Sequence, residues 1–321
     1  MTALLKQQIE EYLISLRYDE KMPHRLYAPM DYILKLKGKR IRPMLVLLAY
    51  QAVAKSEAKP ALGLACATEL FHNFTLIHDD IMDNAPTRRG NDTVHIKWDT
   101  NVAILSGDTM FAVAVEMAAK NFPEKAGTII PAFLKVAIEV CEGQMEDMDF
   151  ALEGIVTIPS YIEMIRKKTS VLLGGCLKLG ALAAGASEEL AQRFYQMGEA
   201  AGIGFQLQDD LMDAFPPKDF GKQIGGDIIE NKKTFLLLKA FELANTTQLQ
   251  QLDYLLNTEN SHAQKVSGVC DLYQALDIPQ ITQNLINQYF QQAYTLLDEL
   301  AKESDTTLIK NYLGEIAMRK V

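Results

Sequence analysis

Two acidic clusters of almost identical sequence are the residues of this chain best suited to chemistry. They read Asp-Asp-Ile-Met-Asp at 79–83 and Asp-Asp-Leu-Met-Asp at 209–213, and each follows a long apolar run. On a helix, the first and last aspartates of a cluster share one face and repel each other by roughly a few tenths of a kcal/mol. Exclusion of water strengthens this repulsion unless cations compensate it. The duplication therefore indicates a site for divalent metal.

The donor atoms narrow the metal to Mg²⁺. Carboxylate oxygens without Cys or His companions favour Mg²⁺ over zinc. Mg²⁺ usually takes one or two carboxylates and completes its shell with water and substrate phosphates. We therefore expect the two clusters to face each other and hold a diphosphate through bridging metal ions. The alternative is that each cluster caps a helix or lies on a solvated face, and a single cluster of this kind favours that alternative.

Segments rich in lysine and arginine accompany both acidic clusters. Residues 38–43 read GKRIRP, residues 87–90 read TRRG, and the second cluster is followed by GKQIGGD at 221–227 and ENKKT at 230–234. Arginine offers paired contacts to phosphate oxygens and lysine offers a point charge. Acidic metal sites alternating with cations are what a site for two diphosphates requires. Neither a Walker loop nor a GxGxxG motif occurs, which disfavours a nucleotide-binding fold.

The elements that must position these residues are helices. Apolar residues from 280 onwards recur every three or four positions, and alternating β patterns are nearly absent. No composition shift or flexible linker divides the chain, so we predict one all-α domain of antiparallel helices over residues 1–321. The run 171–185 is apolar on nearly every face, and its small residues permit either close helix packing or a cavity lining.

Composition excludes several classes of protein. The chain has 321 residues, 48% of them hydrophobic, and a net charge of −9, which argues against generic nucleic-acid binding. No stretch approaches about 18 uninterrupted apolar residues, so we expect no membrane span. The N-terminus reads as an amphipathic helix and not as a signal peptide. The four cysteines are far apart and predict buried free thiols in a reducing cytoplasm; they are Cys66, Cys141, Cys176 and Cys270.

These motifs resemble the trans-isoprenyl diphosphate synthases, also called polyprenyl synthetases. The resemblance runs in the family's order through GKRIRP, ELFHNFTLIHDDIMD, TRRG, EGQMEDMD, RKKTS, GFQLQDDLMD, GKQIGGD and ENKKT. It implies the isoprenoid synthase fold, a large helix bundle around a deep central cavity, in a cytoplasmic homodimer. It also implies Mg²⁺-dependent condensation of isopentenyl diphosphate with C5, C10 or C15 allylic diphosphates to an all-trans prenyl diphosphate.

The resemblance further implies a role for individual residues. Three Mg²⁺ ions ionise the allylic diphosphate, with Asp79, Asp83 and Asp209 as ligands and Asp80, Asp210 and Asp213 alongside. The residues that match the allylic diphosphate site are Arg88, Lys168, Lys222 and Lys232. Those that match the isopentenyl diphosphate pocket are Lys39, Arg42, His72 and Arg89. Thr169 and Gln206 match polar residues near the developing carbocation, and Gln144 and Asp147 lie behind the ligands.

Product length is predicted from the turns of helix that precede the first cluster. Bulky residues there form the floor of an apolar tunnel, and the candidates are Phe71, Phe74 and Thr75, with Phe111 on a following helix. By resemblance, an aromatic residue five before the motif and a small residue four before it fit makers of geranylgeranyl diphosphate (C20). Farnesyl or longer-chain synthesis is the alternative. The simpler interpretation is that Phe71 and Phe74 belong to the core.

Three rival functions fit parts of the pattern. A class I terpene cyclase shares an all-α cavity and the first acidic motif but has no need of GKRIRP. A metal phosphohydrolase requires further histidine ligands at suitable spacing. A non-catalytic helical subunit has no reason to retain both acidic motifs and every cation.

Overall fold

The computed structural model describes residues 2–152, 156–216, 225–258 and 261–317. Within those ranges the chain is almost entirely helical, with one short hairpin of two strands. The all-α prediction is therefore confirmed. The chain divides into two compact units. The first comprises Met1–Lys135, Gly175–Tyr195 and Leu300–Ile309, and the second comprises Val136–Gly174, Gln196–Glu299 and Lys310–Val321. The expectation of a single domain stays a prediction.

The first unit is built around helix α4. Its elements are α1 (Thr2–Ser15), α2 (His24–Lys35), α3 (Ile41–Ala54), α4 (Leu62–Met82), β1 (Thr87–Arg88), β2 (Asn91–Asp92), α5 (Val94–Lys97) and α6 (Thr100–Asn121). Helix α4 packs against α6, α3 and α1, and it buries most of its first ten residues. Its sequence is rich in Leu and Ala and free of proline, so both propensity and burial favour one long helix.

The second unit holds the remaining helical elements. They are α8 (Ile158–Ile165), a π-helical turn (Arg166–Ser170), α11 (Gly226–Ile229), α12 (Phe235–Leu243), α13 (Thr246–Asn257) and α14 (His262–Ala275). Helix α12 packs against α8 and α14, and α14 also packs against α13 and α11. Five helices contribute residues to both units, namely α7 (Ala126–Leu152), α9 (Val171–Ala183), α10 (Glu188–Ala214), α15 (Ile278–Leu300) and α16 (Thr307–Ala317).

Gly180, in the apolar run 171–185, allows two helices to pack closely. A Cβ atom at this position would lie 2.2 Å from the carbonyl oxygen of Val46 on α3. No side chain fits in that space, so α9 approaches the backbone of α3 directly. The sequence left packing and cavity lining as alternatives, and at Gly180 packing is the outcome.

Helix α6 is long and apolar enough to cross a membrane by length and composition alone. A third of its most apolar window is buried, and it packs along α4 within the first unit. Core helices of globular proteins pass the same test, so the helix is weak evidence for a membrane span.

The prediction of four buried thiols is wrong for two cysteines. All four are free, and Cys66 and Cys176 are buried, but Cys141 is exposed and Cys270 is partly exposed. Cys141 lies on α7 in an exposed row with Ile138 and Met145, three and four residues away. The wide spacing of the cysteines, on which the prediction rested, does not reveal which face of α7 is exposed.

Candidate active site

The first acidic motif lies at the carboxyl end of α4. Asp79 is partly exposed, Asp83 caps the helix and is exposed, and Asp80 between them is only 1% exposed. The backbone amide of Asp83 donates to the carbonyl oxygen of Asp79 at 2.8 Å, which keeps both residues on one turn. Asp79 and Asp83 therefore lie on one accessible face, as the spacing predicts, whereas Asp80 points inward.

A tight hairpin brings Arg88 to the buried aspartate. Strands β1 and β2 pair Thr87 with Asp92 and Arg88 with Asn91, so the loop between them is Arg89-Gly90. Both loop residues have positive φ, 53° and 75°, as a two-residue hairpin turn of the I′ kind requires. The Arg88 guanidinium contacts both carboxylate oxygens of Asp80 at 2.7–2.9 Å. Burial raises the pKa of Asp80, and the Arg88 charge offsets part of that effect.

A group of cations surrounds His72 in the same unit. Its ring is partly exposed, and burial together with the charges of Arg42, Arg89, Arg88 and Arg40 lowers the pKa of His72 well below its usual value. The four guanidinium groups make the region around the imidazole positive, although Arg40 pairs with Glu10 and Glu69 and Arg88 pairs with Asp80. Such a region binds anions. The predicted isopentenyl diphosphate residues Arg42, His72 and Arg89 thus share one electrostatic environment.

The glycine of GKRIRP contributes to this grouping. A Cβ atom at Gly38 would lie 3.0 Å from a terminal nitrogen of Arg89, so the loop before α3 contacts the hairpin arginine closely. Lys39, the next residue, is exposed. The contact brings the first basic segment and the hairpin segment together, although Gly38 and Arg89 are 51 residues apart in sequence.

The second acidic motif repeats the pattern on α10. Asp209 and Asp213 are partly exposed, and Asp210 is buried. The Asp213 carboxylate accepts hydrogen bonds from the backbone amides of Gly226 and Asp227 at 3.2 and 3.0 Å. These bonds attach the chain that follows residues 217–224 to the end of α10.

A cavity of about 220 Å³ opens beside this second motif. Eight of the residues predicted from sequence line it, namely Asp147, Lys168, Thr169, Gln206, Asp209, Asp210, Asp213 and Lys232. The hydroxyl of Thr169 donates to the side-chain oxygen of Gln206 at 3.0 Å, and the Gln206 amide donates to Asp210 at 3.0 Å. The structure therefore brings these sequence-predicted residues into one site.

Six further residues of the cavity were not predicted from sequence. They are Tyr161, Met164, Ile165, Asp227, Lys233 and Thr234. The Tyr161 hydroxyl donates to Asp210, and burial with this contact raises the tyrosine pKa well above its usual value. Asp227 belongs to the quoted GKQIGGD motif, and its position in that motif was the available signal. Tyr161 carries no local signal, since 49 residues separate it from its partner.

Carboxylates dominate the electrostatics of the cavity. Burial and the neighbouring Asp227 raise the pKa of Asp210, and burial likewise raises the pKa of Asp227 despite the Lys232 charge. Asp147 behaves differently. Burial raises its pKa, but the Lys168 and Lys232 ammonium groups outweigh that effect and bring the pKa below its usual value. The aspartates facing the cavity thus include two whose negative charge is poorly compensated by the protein.

Lys168 and Thr169 reach the cavity from the π-helical turn. Turns of this kind interrupt α-helices at functional sites more often than elsewhere. The turn lies directly against α7, because a Cβ atom at Gly143 would be 2.3 Å from the backbone nitrogen of Lys168. Arg166, its first residue, pairs with Glu139 on α7, Glu163 on α8 and Glu199 on α10 at 2.8–3.2 Å. These contacts fix the turn to three helices.

The candidate floor residues belong to an aromatic cluster. Phe71 is fully buried and its ring lies 5.5–5.9 Å from the rings of Phe74, Phe111 and Phe133. Phe74 is only partly buried; it stacks on Phe111 at 5.4 Å and meets the edge of His78 at 4.7 Å. Thr75 is also partly buried, and its hydroxyl donates to the carbonyl of His72. Core packing therefore accounts for Phe71, whereas Phe74 and Thr75 retain accessible surface.

Two sequence-predicted residues remain to be located. Lys222 lies outside the described residues. Gln144 is buried on α7, one residue after Gly143.

The donor set fits Mg²⁺ held jointly by protein and substrate. Among the described residues, no three His, Cys, Asp or Glu side chains converge as a preformed metal site of that size would require. Each motif instead offers two partly accessible carboxylates on one helix face. This arrangement suits a metal that takes one or two carboxylates and draws its other ligands from water and phosphate.

Known proteins resemble this chain over most of its length. The family model described as polyprenyl synthetase matches residues 23–273. A geranylgeranyl diphosphate synthase of Methanosarcina mazei is 39% identical over 290 residues, which are 89% of this chain and 87% of that protein. A geranylgeranyl pyrophosphate synthase of Geoglobus acetivorans is 41% identical over 74% of each chain. A crystal structure of a geranylgeranyl pyrophosphate synthase superposes with a TM-score of 0.92 at 39% identity, covering 100% of this chain and 99% of that one. This chain therefore belongs to the polyprenyl synthetase family.

Proposed function

We propose that this protein is a Mg²⁺-dependent trans-prenyltransferase that condenses isopentenyl diphosphate with allylic diphosphates and releases geranylgeranyl diphosphate. The observation that carries the proposal is the cavity beside the second acidic motif. Its lining combines partly exposed carboxylates with Lys168 and Lys232 and with the hydrogen-bonded pair Thr169 and Gln206. Acids for metal, cations for phosphate and a polar pair for a carbocation are the groups that this reaction needs.

The allylic diphosphate is assigned to the two acidic motifs and their cations. Bound Mg²⁺, with three ions expected, would be held by Asp79, Asp83 and Asp209, and it would stabilise negative charge on the departing diphosphate. By the same family pattern, Arg88, Lys168, Lys222 and Lys232 would supply positive charge around that diphosphate. Cations held around the leaving group stabilise the transition state more than the ground state.

The reaction then proceeds in three bond changes. The allylic C–O bond breaks, and diphosphate leaves with the bonding electrons. The double bond of isopentenyl diphosphate attacks the allylic carbon and forms the new C–C bond. A proton is then lost from the resulting cation, and diphosphate is the assigned acceptor. Thr169 and Gln206 face the cation with oxygen dipoles, while apolar side chains such as Met164 and Ile165 exclude water.

Isopentenyl diphosphate is assigned to the cations around His72. Lys39, Arg42 and Arg89 provide the charge, and the lowered pKa of His72 keeps its ring neutral at physiological pH. A neutral imidazole donates one hydrogen bond to a phosphate oxygen without adding a proton to the pocket. This pocket needs no metal, because arginine and lysine neutralise the diphosphate themselves.

A C20 product is the best-supported chain length. Both relatives described above carry the name geranylgeranyl synthase. Phe74, with Phe111 stacked on it, supplies an accessible aromatic surface one helical turn before the first motif. We assign the tunnel floor to Phe74 and Thr75, and we assign Phe71 to the support behind them.

Product analysis tests the proposal. The protein is incubated in Mg²⁺ with labelled isopentenyl diphosphate and with C5, C10 or C15 allylic starters. We expect a C20 product from every starter. A C15 or longer product would change the assigned length only, whereas turnover of an allylic diphosphate without isopentenyl diphosphate would point to a cyclase and overturn the proposal.

We further propose a cytoplasmic homodimer. Ile104 and Leu105 on α6 are exposed apolar residues on a long apolar helix, and Leu105 is 58% exposed. A second copy of the chain would cover such a surface. Sedimentation equilibrium should give twice the chain mass, and Leu105→Glu should shift it towards the monomer.

A further inference from the structure

Arg40 stands between two cations assigned to isopentenyl diphosphate, yet its side chain points into the protein. It is 3% exposed, whereas Lys39 before it is exposed and Arg42 after it is partly exposed. Its guanidinium pairs with Glu10 on α1 at 2.8 Å and with Glu69 on α4 at 2.7 Å. Arg40 therefore uses its charge internally and offers none to a ligand.

The same guanidinium also closes the end of α2. It donates to the carbonyl oxygens of Leu34 at 2.5 Å and Leu36 at 3.3 Å. The last carbonyls of a helix have no partner within the helix, so these bonds satisfy groups that would otherwise be buried without one. One side chain thereby joins the end of α2 to α1 and to α4.

The backbone of Arg40 adopts an unusual conformation at the start of α3. Arg40 is the N-cap residue of α3 and has φ 54° and ψ 39°, the left-handed region that side chains other than glycine rarely adopt. Such a conformation persists where surrounding contacts hold it. Here the contacts are those of the guanidinium, and they set the direction in which the chain enters α3 and presents Lys39 and Arg42.

Glu69 connects this network to the histidine of the pocket. Its carboxylate also accepts a hydrogen bond from the buried side-chain amide of Asn73 at 3.3 Å. Asn73 directly follows His72 on α4, so the orientation of Glu69 is fixed beside the pocket. Glu10, by contrast, lies before residue 23, where the match to the family model begins.

We propose that Arg40 is a positioning residue for isopentenyl diphosphate. Its clamp with Glu10 and Glu69 holds the loop before α3 so that Lys39 and Arg42 are in place before the diphosphate arrives. Preorganised groups lose less entropy on binding, which raises affinity without a new contact. The inference rests on the proposed function, and it makes helix α1 an indirect part of the substrate site.

The test separates this pocket from the acidic motifs by removing metal. Calorimetry in EDTA measures binding of isopentenyl diphosphate to the full chain, since the acidic motifs cannot hold a diphosphate without cations. Steady-state kinetics in Mg²⁺ then gives KM for each substrate and kcat. The variants are Arg40→Lys, which keeps the charge but loses the planar fork, and the milder Glu10→Gln. Arg25→Gln is the matched control, because it removes an exposed arginine of α2 paired with Asp99.

We expect Arg40→Lys to weaken metal-free binding and raise KM for isopentenyl diphosphate about tenfold. Glu10→Gln should do so about threefold. The allylic KM and kcat should stay within about twofold of wild type, and Arg25→Gln should match wild type throughout.

Different results would contradict the positioning role of Arg40 and the proposed function. If Arg40→Lys lowers the melting temperature but leaves binding of isopentenyl diphosphate in EDTA unchanged, Arg40 only stabilises the fold and the proposal is overturned. An equal rise of KM for both substrates would overturn it as well. If wild type binds isopentenyl diphosphate in EDTA and Arg40→Lys weakens it, but no turnover occurs, the positioning role stands and the proposed function fails.

Discussion

The buried aspartate of the first motif is neutralised by an arginine, whereas the buried aspartate of the second is not. The Asp80 carboxylate accepts hydrogen bonds from Nε of Arg88 and forms an ion pair with its Nη2. Asp210 receives the hydroxyl of Tyr161 and the amide of Gln206, and it faces Asp227. The two pentapeptides differ only by Ile against Leu at their third position. Their electrostatic surroundings are therefore set by residues outside the pentapeptides.

This difference extends to the residues around each motif. Arg40, Arg42, Arg88 and Arg89 gather near His72 in the first unit. The cavity of the second unit has five aspartates, Asp147, Asp209, Asp210, Asp213 and Asp227, against three lysines, Lys168, Lys232 and Lys233. The first region is prepared for an anion, and the second requires added cations.

The largest effect on activity is expected when one outer carboxylate is removed from each motif. Asp79→Asn and Asp209→Asn should each lower kcat by about 10²–10³, since each removes a group that stabilises charge in the transition state. Melting curves should show that both variants fold. Asp149→Asn, an exposed aspartate on α7, is the control and should retain activity. Normal activity in either motif variant would show that the two motifs are not joint metal ligands.

The second-largest effect is expected at Gly143. Alanine there would press on the backbone of Lys168 and displace the π-helical turn. Overpacking of this kind costs about 1–3 kcal/mol of stability, and a shift of about 1 Å in a catalytic group lowers activity about 10²-fold. Gly127→Ala on the same helix is the control, because nothing lies within 4 Å of its Cβ position.

The two alanine variants are compared by urea unfolding and by kcat. Gly127→Ala should be neutral or stabilise the protein by up to about 1 kcal/mol, since alanine favours helix. Equal behaviour of both variants would mean that the turn tolerates movement and that Lys168 needs no fixed position.

The next effect distinguishes the two buried aspartates by their contribution to stability. In EDTA, Asp80→Asn should lower the free energy of unfolding by about 2 kcal/mol, because Arg88 loses a charged partner. Asp210→Asn should change it by less than about 1 kcal/mol, since the asparagine oxygen still accepts from Gln206, its amide nitrogen donates to the Tyr161 hydroxyl, and the repulsion from Asp227 is lost. Urea unfolding of both variants measures the difference. Equal destabilisation would contradict the contrast between the motifs.

Local sequence was sufficient for what depends on helix periodicity. The four-residue spacing placed Asp79 with Asp83 and Asp209 with Asp213 on accessible faces, because the helix repeat fixes that relation wherever the helix lies. The all-α class followed for the same reason. Asn231 has φ 56°, a value that asparagine and glycine tolerate best.

Contacts between distant segments were beyond the reach of local sequence. Nothing in GKRIRP distinguishes Arg40 from Arg42, because the burial of Arg40 depends on the end of α2 and on Glu10. Tyr161 is missed for the same reason. The hairpin that carries Arg88 had a weak signal, since only its glycine marks a turn with positive φ. Exposure of Cys141 likewise depends on which face of α7 is left uncovered.

The smallest effect is expected on the pH dependence of stability, through the lowered pKa of His72. The native pKa of His72 lies well below its usual value, so below about pH 6.5 the unfolded chain takes up a proton that the native chain refuses. The free energy of unfolding should therefore fall with decreasing pH, by at most about 1.4 kcal/mol per unit from this group. His72→Gln should remove that part of the slope when urea unfolding is followed between about pH 5 and 7.5. His24→Gln, an exposed histidine on α2, should keep the wild-type slope. Arg89→Gln should reduce the slope only slightly, since burial, the larger cause of the lowered pKa, remains. An unchanged slope in His72→Gln would show that neither burial nor the cations lower the pKa of His72.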